Sequence, residues 1–239
     1  MRLDAAIVEK NFFKSRTRAQ RAIEEGCVTV NGRVVTKPSF SVSEDDEIIS
    51  SGDPLAYVSR GGLKLQGAFD SFNISVKDFC CVDIGASTGG FTEVLLNNGA
   101  DHVYAVDVGH SQLDEVLAAN PKVTNMEKTD FRAVPESFNG FFDFACSDVS
   151  FISVTLLLPR IHEVLKPGGS AVVLIKPQFE SDKKKVGKNG IVRDVNARKK
   201  AVAKVTTCAE VCGFTVKGTV ESPVKGGDGN VEYLLYLKR

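Results

Sequence analysis

The fold is organised around the stretch Cys81-Val82-Asp83-Ile84-Gly85-Ala86-Ser87-Thr88-Gly89-Gly90-Phe91. Apolar and β-forming residues at 79–82 predict a buried strand that runs into Asp83-x-Gly85, and residues 91–96 predict a helix after the glycines. Glycine lacks a Cβ and tolerates positive φ, so a turn of this composition lets a ligand approach the backbone. Tight structural turns between strand and helix are also common in α/β sheets, and the motif alone leaves both interpretations open.

The spacing of the glycines indicates which ligand this turn would accept. A dinucleotide-binding turn has the pattern Gly-x-Gly-x-x-Gly, which wraps a pyrophosphate at a helix N-terminus. Here the glycines are Gly85, Gly89 and Gly90, and the acid Asp83 lies two residues before the first. This arrangement suits a ligand with an amine and a methionine-like tail, so S-adenosylmethionine (SAM) fits it better than NAD.

Composition and charge exclude several classes of protein. The chain has 239 residues and a formal net charge of zero, which suits one large domain or a small module followed by a domain of roughly 180 residues. No apolar run approaches the ~18 residues that span a bilayer, and the start Met1-Arg2-Leu3-Asp4 lacks the apolar region of a secretory signal. We therefore expect a cytoplasmic protein that does not enter a membrane.

The cysteines and histidines show no spacing typical of a metal site or a disulfide framework. The six cysteines form no Cys-x-x-Cys pair and lie mostly in apolar patterns, which favours buried, reduced thiols. The three histidines are scattered along the chain. We therefore expect no metal cofactor.

The first fifty residues predict a small α+β module. An apolar pattern over 3–8 suits one face of a short helix, and Ser15 or Thr17 is placed to cap a second helix over 18–25. Asn31-Gly32, between two short β-forming runs, predicts a hairpin with a type I′ turn.

A basic run lies around the start of the second predicted helix. Five basic residues and no acidic one occur there: Lys10, Lys14, Arg16, Arg18 and Arg21. Backbone N–H groups at a helix start favour phosphate, so this run is a candidate phosphate-contacting face. A solvated charged surface is the alternative interpretation.

The order of these elements resembles that of the small RNA-binding domain named after ribosomal small-subunit protein four. The resemblance lies in Arg2-Leu3-Asp4, in Ser15-Arg16-Thr17-Arg18-Ala19-Gln20 and in Ile23-x-x-Gly26-x-Val28-x-Val30-Asn31-Gly32. It implies recognition of structured RNA by shape and phosphate contacts. The contacts that it implies are Arg2, Lys14, Arg16, Arg18 and Arg21. Because pseudouridine synthases also contain this domain, it indicates a partner and not a reaction.

Alternating strand and helix patterns in the rest of the chain predict a Rossmann-like α/β domain. The sheet is expected to be mainly parallel, with a hairpin at the end that makes the last strand antiparallel. The expected strands are 79–82, 102–106, 123–126, 141–146, 171–175, 214–220 and 231–237. We place the RNA-binding domain at 1–52, a linker at 53–62 and the α/β domain at 63–239.

Ionisable side chains follow the predicted strands at their carboxyl ends, where ligands bind in such sheets. They are Asp83, Asp107, Asp148 and Lys176. Asp107 is placed to accept hydrogen bonds from ribose hydroxyls, and Asp130-Phe131 is placed to meet an adenine. Because buried charges are costly unless paired, a purely structural explanation for all these groups is weak. The residues expected to bind SAM are Asp83, Gly85, Ala86, Ser87, Thr88, Gly89, Gly90, Phe91, Asp107, Val108, Asp130 and Phe131.

The same strand ends narrow down the group that would accept a methyl group. Methylation of an exocyclic base amine usually employs an Asp/Asn-Pro-Pro-aromatic turn, but Asp148-Val149-Ser150-Phe151 contains no proline. Methylation of a pyrimidine carbon needs a cysteine nucleophile, and we interpret Cys146, inside a predicted strand, as a core residue. A ribose hydroxyl needs a base that removes its proton, and a lysine positioned by carboxylates is suited to this. Lys176 and Asp148 stand at adjacent strand ends.

The second domain resembles the FtsJ/RrmJ type of ribose 2′-O-methyltransferase, whose active site is a Lys-Asp-Lys-Glu tetrad. The matching motifs are Ser59-Arg60-Gly61-Gly62-Leu63-Lys64-Leu65, Asp148-Val149-Ser150-Phe151-Ile152-Ser153, Lys176-Pro177-Gln178-Phe179-Glu180 and Val231-Glu232-Tyr233. The resemblance implies that Lys176 is the base and that Asp148 and Glu232 orient it. It further implies that Lys64 helps to place the acceptor ribose.

The combination of the two domains is similar to the TlyA family, also called haemolysin A, which methylates cytidine ribose in ribosomal RNA. This resemblance implies SAM as cofactor and ribosomal RNA or ribosomal subunits as partners. Ten basic and three acidic residues lie between positions 176 and 204, which favours an RNA-contacting loop over a merely solvated one. The expected RNA contacts in this domain are Arg60, Lys183, Lys184, Lys185 and Lys188.

Two hypotheses compete with methyl transfer. The haemolysin name suggests a membrane-active protein, but the sequence has neither a spanning segment nor a strongly amphipathic basic helix. A non-catalytic RNA-binding assembly factor on a SAM-binding scaffold is the other alternative, and the intact tetrad disfavours it.

Overall fold

The structure, a computed structural model, describes residues 1–13, 15–24, 26–50, 57–182, 185–187, 190–226 and 229–239, without the side chains of Thr17 and Arg21. Several expectations lie outside the described residues: the RNA contacts Lys14, Lys183, Lys184 and Lys188, the side chain of Arg21, and part 53–56 of the linker. The chain divides into two units, Met1–Ala56 and Tyr57–Arg239.

The first unit contains two helices and a small antiparallel sheet. The elements are α1 Leu3–Glu9, α2 Arg16–Glu24, β1 Val28–Val30, β2 Arg33–Val34 and β3 Ile48–Ser50, with strand order β2-β1-β3. Asn31 and Gly32 have φ of 51° and 73°, which confirms the predicted type I′ turn. Helix α2 begins two residues earlier than predicted because the Ser15 hydroxyl accepts a hydrogen bond from the Arg18 N–H. Strand β3 was not predicted, since three residues are too few to show an alternating pattern.

The second unit is built on a seven-stranded sheet of order β6-β5-β4-β7-β8-β10-β9. The strands are β4 Cys80–Ile84, β5 His102–Val106, β6 Val123–Met126, β7 Phe142–Ser147, β8 Leu165–Ile175, β9 Thr215–Glu221 and β10 Tyr233–Lys238. All pairs are parallel except that β10 runs antiparallel to both β8 and β9. This confirms the predicted Rossmann-like sheet with an antiparallel last strand.

Helices cover both faces of this sheet. They are α3 Gly61–Phe72, α4 Gly90–Asn97, α5 Glu115–Ala118, α6 Leu158–Val164, α7 Pro177–Glu180 and α8 Val195–Val211, with short 3₁₀ helices at Phe131–Ala133, Glu136–Phe138 and Val154–Leu156. Strand side chains alternate between the two cores: Val172 and Leu174 of β8 pack with α3 and α4, whereas Val173 and Ile175 pack with α6 and α8. Both faces of the sheet are therefore buried, as expected for parallel strands.

Two elements differ from their predicted extents for identifiable reasons. The sequence predicts one helix that is capped by Ser153 and ends at Val164. In the structure Ser153 caps only the 3₁₀ helix Val154–Leu156, and α6 starts separately at Leu158, because Pro159 fits only in a first turn. Strand β8 begins at Leu165, so Pro167-Gly168-Gly169 lies inside the strand, where the pairing with β7 is irregular. Neither difference moves the carboxyl ends of the strands.

Candidate active site

Four charged side chains from distant parts of the chain meet at the carboxyl edge of the sheet: Lys64 of α3, Asp148 after β7, Lys176 after β8 and Glu232 before β10. The Lys64 Nζ atom lies 2.6 Å from Glu232 Oε2 and 3.5 Å from Asp148 Oδ2. The Lys176 Nζ atom lies 2.6 Å from Asp148 Oδ1. Cations and anions thus alternate in space, and the structure brings together all members of the expected tetrad.

The pairing of opposite charges explains how the tetrad tolerates burial. Side-chain exposure is 2% for Glu232, 10% for Lys64, 11% for Lys176 and 20% for Asp148. Lys64 is therefore not the exposed solubilising lysine that its place near a helix start would suggest. A further contact anchors the other lysine, because Lys176 Nζ donates a hydrogen bond to Ser150 Oγ at 2.7 Å.

The glycine turn brings the backbone of β4 against the loop that bears Asp148. Gly85 has a φ of 81°, and a Cβ added there would lie 2.7 Å from the backbone oxygen of Asp148. Gly89 has a φ of 95°, and a Cβ there would collide with the side chains of Leu113 and Leu117. Only glycine satisfies both the conformation and the space at these positions.

A cleft of about 440 Å³ lies between the glycine turn and the tetrad, and Asp148 belongs to its wall. The lining includes half of the residues expected to bind SAM: Gly85, Ser87, Asp107, Val108, Asp130 and Phe131. The other expected residues do not line it: Asp83, Ala86, Thr88, Gly89, Gly90 and Phe91. A cleft of this size, whose lining mixes apolar side chains with polar and charged ones, suits a small polar cofactor.

Two of the three acids of the cleft wall, Asp107 and Asp130, are fixed by local hydrogen bonds. The Asp107 carboxylate accepts from the backbone N–H of Ser87 at 2.9 Å and of Gly109 at 2.7 Å. Asp130 caps the 3₁₀ helix that follows it and pairs with Arg132, whose hydrogen bonds lower the pKa of Asp130. Both carboxylates are thus held in place at the ends of neighbouring strands, where a ligand with hydroxyl and amine donors would meet them.

Asp83 has a different position from the one that its motif suggests. Its side chain is fully buried beneath the turn, where it accepts a hydrogen bond from Thr92 Oγ1 at 2.7 Å. Burial raises the pKa of Asp83 to about 7. The neighbouring Cys146 is also fully buried, and burial raises its pKa well above the ordinary value, which disfavours a reactive thiolate.

Phe151 and Ser150 belong to the site but were not among its predicted residues. Phe151 is 89% exposed and has a φ of 67°, and its ring centroid lies 5.5 Å from that of Phe179 in the loop that follows Lys176. Both residues occur in the motif that begins with Asp148, so their sequence position was the available signal.

The first unit contains a second cluster of charges, around Asp4. The Asp4 carboxylate is fully buried and accepts hydrogen bonds from Arg2 at 2.9 and 3.0 Å, from Arg16 at 3.0 Å and from Gln20 at 2.7 Å. These bonds, that from Arg2 foremost, hold the pKa of Asp4 far below its usual range. The side chains of Arg2 and Arg16 remain 51% and 57% exposed. Two of the expected RNA contacts, Arg2 and Arg16, are therefore anchored by Asp4, which was not among the predicted site residues.

The other expected RNA contacts among the described residues are Arg18, Arg60 and Lys185. Arg60 is exposed at the start of α3. The exposed Lys185 lies 3.8 Å from Asp194. The backbone N–H of Arg18 donates to Ser15.

Comparison with known proteins agrees with the fold. Residues 57–239 match the FtsJ-like methyltransferase family, and residues 1–48 match the S4 domain. The chain is 41% identical to the Mycobacterium tuberculosis protein named 16S/23S rRNA (cytidine-2'-O)-methyltransferase TlyA, over 99% of this chain and 89% of that protein. It is 43% identical to Hemolysin A of Brachyspira hyodysenteriae, over 99% of each chain.

Solved structures give the same picture. A hemolysin-named protein from Streptococcus thermophilus has a TM-score of 0.79 and 44% identity, and the match covers 100% of this chain and 88% of that one. An S-adenosylmethionine dependent methyltransferase from Mesorhizobium loti, 18% identical over 72% of this chain and 96% of that one, has a TM-score of 0.54 and shares the fold.

The fold and the site define an α/β methyltransferase preceded by a small α+β unit. The chain belongs to the FtsJ-like methyltransferase family, and its first unit is an S4 domain. In the described part of the chain, no helix combines the length and the apolar character needed to cross a bilayer.

Proposed function

We propose that this protein is a SAM-dependent methyltransferase that modifies the ribose 2′-hydroxyl of cytidine in ribosomal RNA and works in the cytoplasm, where ribosomes are. The observation that carries the proposal is the paired tetrad at the mouth of the cleft, with Lys176 Nζ 2.6 Å from Asp148 Oδ1. The name of the M. tuberculosis relative supports the choice of acceptor.

The residues of the cleft fit the cofactor by their chemistry. The Asp107 carboxylate would accept from ribose hydroxyls, Val108 and Phe131 offer apolar surface to an adenine, and Gly85 leaves room for the methionine part. The other residues expected at this site would support the turn without lining the cleft: Asp83, Ala86, Thr88, Gly89, Gly90 and Phe91. When bound, SAM supplies a methyl group on a positively charged sulfur.

The chain's own residues would then prepare the acceptor. The 2′-hydroxyl is a weak acid, so its proton must leave as its oxygen attacks the methyl carbon. Lys176 would first release a proton from its ammonium group to solvent, and its neutral Nζ would then take the proton of the hydroxyl while Asp148 holds the amine in place. Lys64, fixed by Glu232, would orient the acceptor ribose from the other side of Asp148.

RNA would bind through phosphate contacts on both units. The proposed contacts are Arg2, Lys14, Arg16, Arg18, Arg21, Arg60, Lys183, Lys184, Lys185 and Lys188. Contacts of this kind release counterions, so we expect RNA affinity to fall steeply as salt rises.

The direct test is transfer of radiolabelled methyl groups from SAM to isolated small and large ribosomal subunits that lack the modification. We expect label at a ribose 2′-oxygen with the wild-type protein and its loss with Lys176→Ala. Lys166→Ala is the matched control, because Lys166 forms a similar 2.7 Å pair with Asp143 at the opposite ends of β7 and β8. Normal labelling by Lys176→Ala would exclude the assigned base, and no labelling by the wild type would exclude the proposed acceptor.

A further inference from the structure

A buried carboxylate outside the tetrad connects the loops that bear Asp148 and Lys176. Glu180 ends α7, the single helical turn that begins directly after Lys176. Its side chain is 1% exposed. Among the described residues that line the cofactor cleft, Glu180 is absent, so its role lies elsewhere.

Both carboxylate oxygens of Glu180 accept hydrogen bonds, and its negative charge is paired with the charge of Lys204. Oε1 accepts from the backbone N–H of Val154 at 2.7 Å, and Oε2 accepts from the Ser153 hydroxyl at 2.5 Å and from Lys204 Nζ at 3.0 Å. Ser153 and Val154 open the 3₁₀ helix that follows the Asp148 loop. The carboxylate therefore caps this helix from across the site and attaches it to α7 and α8.

The loop held in this way needs external support. Phe151 lies between Asp148 and Ser153 with a φ of 67°, a conformation that a bulky residue adopts only when its surroundings impose it. The loop is tied at its start by the Asp148–Lys176 ion pair, in its middle by the contact of Phe151 with Phe179, and at its end by Glu180. All three ties lead to the segment 176–180.

We propose that Glu180 is a positioning residue for methyl transfer, which locks the loop after β7 to the loop after β8 and so sets the geometry of Asp148 and Lys176. The inference rests on the proposed function. Glu180 itself touches neither cofactor nor acceptor. Its effect follows from the sensitivity of such reactions to the placement of the reacting groups.

The test compares Glu180→Gln with the wild-type protein in single-turnover methyl transfer at saturating SAM and ribosomal subunits. The amide keeps the shape but turns an N–H₂ group toward donors that now lack an acceptor. We expect the transfer rate to fall by about 10- to 100-fold. The Kd of SAM and the KM of the ribosomal substrate should stay within about twofold, because the change alters placement and not binding.

Asp143→Asn is the matched control. Asp143 also accepts from a backbone N–H, that of Cys80, and from a lysine, Lys166, but at the amino ends of the strands. We expect the Asp143→Asn protein to transfer methyl groups at the wild-type rate. An equal loss in Asp143→Asn would show a general effect of removing a paired carboxylate and would overturn the positioning role.

Ser153→Ala keeps the proposal testable if Glu180→Gln does not fold. It removes one donor to Glu180 and should lower the transfer rate less than Glu180→Gln, again with unchanged SAM affinity. Wild-type rates in the variants would overturn the proposal, as would losses of rate, SAM affinity and thermal stability in equal proportion. Failure of the wild-type protein to methylate ribosomal RNA would instead refute the proposed function.

Discussion

Both units gather cations around buried carboxylates, but they use different cations. In the first unit, Arg2 and Arg16 surround Asp4 and keep about half of their side chains exposed. In the second unit the cations are themselves largely buried, Lys64 between Glu232 and Asp148 and Lys176 beside Asp148. Both clusters contain carboxylates, and they differ in the exposure of their cations: the arginines reach solvent, whereas the lysines are largely buried.

This difference is the one we expect between a cluster that binds RNA phosphate, the binding cluster around Asp4, and one that takes part in the reaction. A guanidinium stays protonated and has five donors, so an arginine anchored on Asp4 retains N–H groups for a phosphate. An ammonium is a single centre that can lose its proton, and only such a group can take a proton from a hydroxyl. We therefore propose that the identity of the cation, and not the burial of the acid, reflects the role of each cluster.

Lys176→Arg tests this distinction and should have the largest effect. It keeps a positive charge beside Asp148 but removes the group that can accept a proton. We expect the single-turnover rate to fall by about 1,000-fold, within the range for loss of a general base. SAM affinity, measured by calorimetry, should be unchanged.

The control for this substitution is Lys166→Arg in the pair with Asp143, which should retain full activity. A Lys176→Arg rate within a few-fold of the wild type would mean that the cation acts by charge alone. The contrast between the two clusters would then fail.

Asp4→Ala should have the next largest effect. Without the carboxylate, Gln20 and the two arginines lose a shared acceptor, but the half-exposed guanidinium groups regain water. We therefore expect a loss of about 2 kcal/mol in the free energy of unfolding, less than for a fully buried pair. Chemical denaturation would measure it, with RNA affinity as a second readout.

Asp46→Ala provides the comparison within the same unit. Asp46 accepts from the Ser43 N–H and from Asn31 Nδ2, both neutral donors, at 2.7 Å each. We expect it to cost less stability than Asp4→Ala and to leave RNA affinity unchanged. Equal effects on RNA binding would show that Asp4 does not act through its arginines.

Asp83 is a further buried carboxylate, and its hydrogen-bond partners Thr92 and Cys146 are uncharged. Burial raises the pKa of Asp83 to about 7 from 3.8, so the folded protein holds its proton across a range where the unfolded chain has lost it. The stability that this gives is present below pH 3.8 and is lost as pH rises through about 7. As pH rises, the free energy of unfolding of Asp83→Asn should therefore increase relative to that of the wild type, by at most about 1.4 kcal/mol per pH unit.

Thermal unfolding of both proteins between pH 4 and 8 would measure this gain. Asp130→Asn is the control, because hydrogen bonds from Arg132 lower the pKa of Asp130 from 3.8. The stability from that pair is lost only at pH values below this range, so the difference between Asp130→Asn and the wild type should stay constant from pH 4 to 8. A constant difference between wild type and Asp83→Asn over the whole range would show that Asp83 stays ionised.

The strand ends of the second unit could be predicted because apolar runs there stop at ionisable residues. Asp107, Asp148 and Lys176 each follow such a run, and the right-handed winding of a parallel sheet brings those ends together. The tight glycine turn was likewise predictable, since its spacing is local.

Residues whose partners are distant in sequence could not be read from local patterns. Lys64 pairs with Glu232, 168 positions away, and its local pattern is that of an exposed lysine. Glu180 bonds to groups 24 to 27 positions away, and only the packing of α7 and α8 turns it inward. Asp4 was read as part of a motif, but its burial depends on the packing of α1 against α2.

Arg16→Ala should have the smallest effect and gives the most direct view of the binding cluster. If the exposed part of Arg16 contacts a phosphate, the slope of log affinity against log salt should shrink by about one. Arg33→Ala removes an exposed arginine from β2 of the same unit and should leave that slope unchanged. Identical slopes for wild type and Arg16→Ala would mean that Arg16 only secures Asp4. The first cluster would then be structural, and the difference between arginine and lysine in this chain would concern catalysis alone.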